Sequence, residues 1–338
     1  MLNANYNSKL AGALISASGE EFMLLDIGAS GGISKLWDQF GDRLRAHGFD
    51  PLIAEVDRLN AAEDTGRIRY HAAFVTCRDQ DILNGLKTDG LPNTQSFERT
   101  SAARASRVTK TDYIREQFNQ GAAVRYADDR TTIDEFCSAH DLSCVDFIKV
   151  DTDGHDYYVL CGARDTLTNH GVLGVEVECQ FHGTPHPHAN TFANIDRYLR
   201  ELGFALFQMD VWRYTRGALP GRFHYDIMAQ TTTGPVQWCE ALYLLDPVTR
   251  PDLFTTLKSS QLLKLLMLYD IFGLPDCAAE LIMELSARKI AIPCVDYGHF
   301  LDLLAPGGHY RQYIENFDKD PREFFPSRAS KPSASDEP

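Results

Sequence analysis

The chain is short of positive charge: 33 lysines and arginines stand against 47 aspartates and glutamates, a formal net charge of −14. A surface of that sign repels a phosphate backbone, which speaks against nucleic acid as the main partner and favours a neutral or cationic one. No two of its eight cysteines form a C-x-x-C pair. Scattered thiols frame neither a zinc site nor a compact disulfide scaffold, and the reduced thiols of a cytoplasmic protein are the expectation. Nor is there an apolar run of about 18 residues, the length a membrane-crossing helix requires. Residues 1–6 carry no basic stretch of the kind that opens a secretory leader, so neither secretion nor a membrane span is expected.

What is present is a chain of 338 residues, 44% of them hydrophobic, enough to bury one large core or a core with a small second domain. Strand-like apolar runs alternate with helix-like periodicity, the signature of a parallel sheet covered by helices. The runs predict strands at 22–27, 45–49, 68–74, 145–150, 172–178, 205–209 and 241–245. The fold class is therefore α/β, a Rossmann-like seven-stranded domain over residues 1–247. A polar stretch at 76–129 interrupts the alternation and reads as an insertion or a lid on the substrate side. After Asp246-Pro247 comes dense helical periodicity at 253–267 and 277–285, split by Gly273-Leu274-Pro275-Asp276, a stop followed by a restart. That gives a helical C-terminal appendage over 248–325. Its apolar run Leu262-Leu263-Lys264-Leu265-Leu266-Met267-Leu268-Tyr269 forms either a core of its own or the surface of a homo-oligomer. Residues 326–338, rich in serine, proline and charge, read as a disordered tail.

The most specific local signal is Leu24-Leu25-Asp26-Ile27-Gly28-Ala29-Ser30-Gly31-Gly32-Ile33. An apolar run ending in Asp-x-Gly-x-x-x-Gly reads as a buried parallel strand that delivers a tight glycine turn into a helix N-terminus, where backbone N–H groups face a carboxylate or phosphate. The next strand ends in Gly48-Phe49-Asp50-Pro51, where an acidic side chain meets the two hydroxyls of a ribose. The dinucleotide pattern G-x-G-x-x-G is missing, since Ser30 stands where its second glycine belongs. A cofactor with a ribose and an amino-acid carboxylate but no pyrophosphate suits the pattern better, and S-adenosylmethionine is such a cofactor. Its expected contacts are Asp26, Gly28, Ser30, Gly32, Asp50, Pro51 and Ala73.

Further along come Thr131-Thr132-Ile133-Asp134-Glu135-Phe136, then Phe147-Ile148-Lys149-Val150-Asp151-Thr152-Asp153-Gly154-His155-Asp156, then Leu160-Cys161-Gly162-Ala163 and Gly174-Val175-Glu176-Val177-Glu178. In this order, and with Asp26-x-Gly28 and Phe49-Asp50-Pro51 ahead of them, they resemble the FkbM-type methyltransferases over roughly residues 22–245. The family pattern has a T-L-D-E-like helix start, a strand ending in K-x-D-x-E-G-x-E, a V-L-x-G-A helix and an F-E-P after the second strand. Here Asp153 and Asp156 replace glutamates, keeping the charge but shortening the reach, and His155 replaces a small residue. The resemblance implies an S-adenosylmethionine-dependent O-methyltransferase with the seven-stranded Rossmann-like domain of that class. It further implies a hydroxyl of a sugar or glycan-like molecule as acceptor, as in surface polysaccharide or secondary-metabolite synthesis.

A neutral sugar hydroxyl is a poor nucleophile, so alignment beside the methyl donor must be joined by a base. The candidates are Asp151, Asp153 and His155 beyond the fourth strand and His182 beyond the fifth, with Lys149 placed to order a carboxylate. A divalent metal such as Mg²⁺ is a further option, with Asp151, Asp153, Glu176 and Glu178 as oxygen ligands. Plain turn chemistry, with Asp-Thr-Asp-Gly capping the next helix, accounts for the same acids without catalysis. The run Gln180-Phe181-His182-Gly183-Thr184-Pro185-His186-Pro187-His188 reads as a substrate-lining loop rather than a zinc site, being irregular and without cysteine or carboxylate. Trp212, Tyr214 and Arg216 follow the sixth strand and offer aromatic faces to a sugar. The alternative is a non-catalytic binding or assembly protein that keeps the cofactor and recruits a partner through the helical C-terminus. The acidic set Asp26, Asp50, Asp151 and Asp153 favours catalysis. Methylation of nucleic acid is disfavoured by the acidic charge and by the lack of an N-P-P-Y-like motif.

Overall fold

The computed structural model describes residues 10–86, 125–214, 231, 234–293 and 295–324. They divide into two compact units, residues 19–257 forming one and residues 10–18 together with 258–324 the other. The division falls ten residues beyond the expected 247/248 boundary. Residues 246–257 stay with the sheet because Leu245 N–H pairs with the Leu173 carbonyl at 2.9 Å and the Arg250 guanidinium reaches the Gly203 carbonyl at 3.2 Å.

The sheet unit holds nine described strands: β1 (Phe22–Ile27), β2 (Leu44–Asp50), β3 (Ile68–Ala72), β4 (Phe74–Val75), β5 (Arg130–Thr131), β6 (Phe147–Val150), β7 (Gly174–Gln180), β8 (Ala205–Arg213) and β9 (Val236–Leu244). Seven of them form one sheet in the order β3-β2-β1-β6-β7-β9-β8. All neighbours are parallel except β9, which runs antiparallel to β7 and β8. Central β1, Phe-Met-Leu-Leu-Asp-Ile, is buried at five of six positions, as a strand covered on both faces must be. From β1 the chain winds outward to β2 and β3, then returns to β6 on the other side of β1. The strand order therefore reverses between β1 and β6, where α/β sheets hold their ligands beyond the carboxyl ends of the strands.

Below that point the sheet is sealed by aromatics. Phe22 of β1 stacks on Phe40 at 4.1 Å, and Trp37 meets Phe147 of β6 at 4.9 Å. Trp37 and Phe40 belong to the 3₁₀ helix Lys35–Arg43. Helix α1 (Leu10–Ser18) belongs to the other unit. The sheet unit carries α2 (Ile53–Ala62), α3 (Gln80–Leu83), α4 (Ile133–Ala139), α5 (Asp156–Cys161), α6 (Arg164–Asn169), α7 (Phe192–Glu201) and α8 (Leu253–Thr256).

The helical unit comprises α1, α9 (Ser259–Ile271), α10 (Pro275–Ala287), α11 (Tyr297–Leu304) and α12 (Tyr310–Lys319). Pro275 stands at the start of α10, where its missing N–H costs nothing. Asp270 of α9 is fully buried and accepts the N–H groups of Leu10 and Ala11 at 2.8 and 2.9 Å, which ties the N-terminal helix to the C-terminal ones. Residues 262–271 of α9 are buried without interruption.

Three features depart from the pattern read in the sequence. The strand expected at 68–74 ends at Ala72, because Phe74 N–H turns away to the Asp129 carbonyl at 2.8 Å and β4 pairs with β5 in a separate small sheet. β8 runs four residues further than expected and β9 begins five residues earlier, and the added lengths pair and close on Trp212 and Trp238, stacked at 4.1 Å and 3°. The glycine turn after β1 does not enter an α-helix: the next element is the 3₁₀ helix beginning at Lys35, capped by Ser34. Of the expected insertion 76–129, residues 87–124 lie outside the described residues, as do the tail 326–338 and Arg216.

Candidate functional site

At the carboxyl ends of β1 and β6, parallel pairing puts Asp26 beside Lys149 and Lys149 beside Glu176 of β7. The Lys149 ammonium lies 3.5 Å from Asp26 Oδ1 and donates to Asp151 Oδ2 at 3.3 Å. Burial works against its charge, but Asp26, Asp151 and Glu176 together outweigh it and hold the pKa above the usual lysine value. Asp26 is buried, which raises its carboxyl pKa against the pull of Lys149. The Asp151 side chain, by contrast, is 43% exposed.

The loop after β1 is built around its glycines. Gly28 has φ +90°, and a Cβ there would overlap the Asp151 carbonyl oxygen, so this glycine is what lets the β1 and β6 loops close on each other. The loop's N–H groups are largely taken by protein acceptors: Gly28 and Ala29 share the Phe49 carbonyl at 2.9 Å, and Gly32 bonds the Ala29 carbonyl at 3.0 Å. Gly31 donates to Glu55 Oε1 at 2.9 Å and Ile33 to the Tyr70 hydroxyl at 3.2 Å. Ser30 is exposed at the tip. Glu55, a buried first-turn residue of α2 held by Arg58 at 2.6 and 2.8 Å, was not legible in the motif. The Arg58 hydrogen bonds keep its carboxyl below the usual range despite burial.

Asp50 ends β2 and accepts Leu52 N–H through Oδ1 at 2.7 Å, leaving Oδ2 without a hydrogen bond among the described residues. Burial raises its pKa, against the Leu52 bond. Pro51 and Ala73 flank it through the backbone, with the Pro51 carbonyl accepting Ala127 N–H at 2.7 Å and Ala73 N–H reaching the Asp50 carbonyl at 3.3 Å. Asp50 therefore stands beside the glycine turn with one oxygen to offer.

Beyond β6 the turn 151–155 is organised by Asp156. This fully buried first residue of α5 accepts Thr152 N–H and Thr152 Oγ1–H at 2.8 Å each and Gly154 N–H at 3.2 Å. Asp153 sits at φ +54°, so the expected turn is present, but the expected aspartate cap is not: the N-cap of α5 is His155, which makes no side-chain cap hydrogen bond. His155 points elsewhere: its Nε2 is 2.8 Å from Thr76 Oγ1, and its ring lies 4.9 Å from Phe74. Burial, helped by the charge of Arg130, pushes its pKa down to about 4 and leaves a neutral imidazole. Phe74, Thr76, Arg130 and His155 line an open cleft of ≈ 520 Å³.

On β7, Glu176 is pushed up to about 7 by burial and Glu240, and Glu178 up to about 9 by burial together with Asp156, Asp151, Asp153 and Glu240. Glu178 lies directly opposite Glu240 of β9, and its Oε2 is buried without a hydrogen-bond partner among the described residues. The metal set Asp151, Asp153, Glu176 and Glu178 does not converge. Among the described residues no three histidine, cysteine, aspartate or glutamate side chains gather as an ion needs, and the Lys149 ammonium supplies the countercharge instead.

The histidine run packs on helix α5 and on itself. His188 Nδ1 is 3.2 Å from the Tyr157 hydroxyl, its carbonyl accepts the Tyr158 hydroxyl at 2.9 Å, and its N–H donates to His186 Nδ1 at 3.1 Å. His182 is partly buried, which lowers its pKa. Trp212 and Tyr214 are buried in the hairpin end, with Trp238 Nε1–H donating to the Tyr214 hydroxyl at 3.0 Å.

A parallel sheet with this strand order and one reversed strand next to its edge is the Rossmann-like sheet of S-adenosylmethionine-dependent methyltransferases. Residues 56–206 match the family described as Methyltransferase FkbM domain. The match begins in α2, so β1 and β2 with Asp26 and Asp50 lie ahead of it. A TehB-like SAM-dependent methyltransferase from Corynebacterium glutamicum is similar at 10% identity and a TM-score of 0.29, over 72% of this chain and 92% of its own. The magnesium protoporphyrin IX methyltransferase of Synechocystis, solved with bound SAM, is similar at 9% identity and a TM-score of 0.26, over 69% and 76%. Likeness at these scores adds nothing to the topology already described. No curated protein matches the chain significantly. Among the described residues no helix is long and apolar enough to cross a membrane.

Proposed function

We propose that this chain transfers a methyl group from S-adenosylmethionine to a hydroxyl of a sugar or glycan-like acceptor. The observation that carries the reading is the seam between β1 and β6, where Asp26, Lys149 and Asp151 form one charged line at the point where the strand order reverses. The residues present suit the cofactor: Asp50 keeps Oδ2 for a ribose, and the turn through Ser30 leaves an exposed tip beside it. S-adenosylmethionine, when bound, supplies an electrophilic methyl on a sulfonium. Asp151 is the residue placed to accept the acceptor's proton, because its carboxylate is exposed and is held by Lys149. His155 serves better as a hydrogen-bond partner, since an imidazole with a pKa near 4 is a weak base.

A second reading, a non-catalytic binding protein that, unlike the alternative read from the sequence, does not hold the cofactor, draws on one observation. Five N–H groups of the glycine turn already have protein acceptors, which leaves few for a ligand carboxylate. Calorimetry with S-adenosylmethionine separates the two. The wild-type chain is expected to bind it, Asp50→Ala to bind about 1.5–3 kcal/mol more weakly, and Asp151→Asn to bind it unchanged while turnover falls roughly 10²–10⁴-fold. No heat with the wild-type chain favours the second reading.

A further inference from the structure

The cleft of ≈ 520 Å³ beside His155 falls within the range of about 300–1,000 Å³ usual for small-molecule sites, and none of the cofactor residues lines it. It joins three distant segments: Phe74 and Thr76 with Gln80, Leu83 and Leu86 from β4 through α3 and the turn after it, Arg130 from β5, and His155 from the turn after β6. Two arginines stand at this edge and differ in what they hold. Arg78 is spent on Glu135, at 2.9 Å through two nitrogens, and on the Arg130 carbonyl at 2.7 Å. Arg130 is exposed, lies over the Phe74 ring at 5.6 Å, and has no carboxylate partner among the described residues. In a chain of net charge −14, a guanidinium without a carboxylate partner among the described residues, set over an aromatic ring in the wall of a cleft, is a selective feature. Such a guanidinium presents a planar fork of donors that matches a carboxylate or a phosphate. The rest of the lining carries no second charge: the His155–Thr76 pair and Gln80 offer hydrogen bonds to hydroxyls, and Leu83 and Leu86 add apolar surface.

We propose that this cleft holds the methyl acceptor and that the acceptor is an acidic sugar, bearing a carboxylate or phosphate that pairs with Arg130 while its ring lies against Phe74 and the His155–Thr76 pair. The inference rests on the methyl-transfer reading for the word acceptor, but not for the binding itself. The link to the proposed base is the turn 151–155, which begins with Asp151 and ends with His155: an acceptor seated against His155 must extend along that turn to bring a hydroxyl to Asp151.

The test titrates the full chain, with and without S-adenosylmethionine, against glucose 1-phosphate, glucuronate and glucose, following binding by ligand-observed NMR. At least one charged sugar is expected to bind about tenfold or more tighter than glucose, and Arg130→Gln to remove that preference. Preference for glucose 1-phosphate alone assigns a phosphate, and preference for glucuronate alone a carboxylate. Equal binding of glucose, a preference that survives in Arg130→Gln, or no binding by any of the three overturns the proposal. Because S-adenosylmethionine binding is read in the same samples, failure of the cofactor to bind sinks the methyl-transfer reading separately from the cleft's choice of sugar.

Discussion

Gly28 and Gly31 lie in one turn with nearly equal φ, +90° and +86°, yet a methyl group meets different surroundings at the two. At Gly31 there is open space, so Gly31→Ala should cost only the backbone strain of the left-handed region, about 1–2 kcal/mol. At Gly28 the Cβ would overlap the Asp151 carbonyl, so Gly28→Ala should add overpacking of about 1–3 kcal/mol or more to that strain. Urea denaturation of the two variants checks the order; equal losses would mean that the β1 and β6 loops part freely. Glu178 makes a second prediction. Its ordinary pKa of 4.5 is pushed up to about 9, so the folded chain keeps a proton that the unfolded chain releases, and its contribution to stability is whole below pH 4.5 and is lost as pH rises toward 9. His47 and His71, pushed down from 6.5 to about 4 by burial, act in the opposite sense below pH 6.5, where stability rises with pH. The clean window is pH 7 to 9, above the histidines and above Glu176 at about 7. There the melting temperature should fall with pH in the wild-type chain and fall less in Glu178→Gln. An undiminished slope in the variant would show that this carboxyl is ionised in the fold.

Among the elements, α4 offers the plainest test of local design. Thr132 Oγ1 accepts Glu135 N–H and Glu135 Oε2 accepts Thr132 N–H, both at 3.0 Å, a reciprocal cap visible in the sequence as Thr-x-x-Glu. Thr132→Ala should cost about 1 kcal/mol, read as a shift in chemical denaturation, and no shift would mean the end of α4 is held by packing alone. Central β1 was legible because its apolar run is nearly unbroken, and β7 because its valines and glutamates alternate with the strand period. The outer halves of β8 and β9 were not, because Gln208, Asp210, Gln237 and Glu240 interrupt the pattern in a hairpin held instead by stacked tryptophans. The exit of the chain at Ala73 was hidden for the opposite reason: Ala72-Ala73-Phe74-Val75 reads as one apolar run, and only the Asp129 carbonyl reveals the turn. At the site, Asp26, Asp50 and Asp151 were legible as acids at strand ends. Glu55, Tyr70 and Arg130 were not, since each acts on a segment far away in sequence.

For the molecule as a whole, the sequence places a helical region at one end, whereas the folded unit recruits residues 10–18 from the other. Asp270 accounts for it: its side chain is fully buried and takes the Leu10 and Ala11 N–H groups, and a buried polar group that loses two hydrogen bonds carries a desolvation cost. A chain lacking residues 1–18 should lose about 3 kcal/mol or more from the helical unit, two hydrogen bonds to a charged group. Hydrogen exchange resolved by segment is the measurement, with protection lost in α9 and kept in β1. Uniform loss over both units would mean that they unfold as one.

The seam between β1 and β6 also says something about time. Asp26 and Lys149 are 123 positions apart, and closing a loop of that length costs about 4 kcal/mol of chain entropy before the contact returns anything. Pairings of that span are the slow ones in folding, so the crevice should come into being only after the rate-limiting barrier has been crossed. A ligand that needs the closed seam then has nothing to hold in the transition state and can act only on the finished fold. Saturating S-adenosylmethionine should accordingly slow unfolding and leave the refolding rate where it was. Stopped-flow refolding that sped up with the ligand would place seam closure ahead of the barrier, and the central pair of strands among the first parts of the chain to meet.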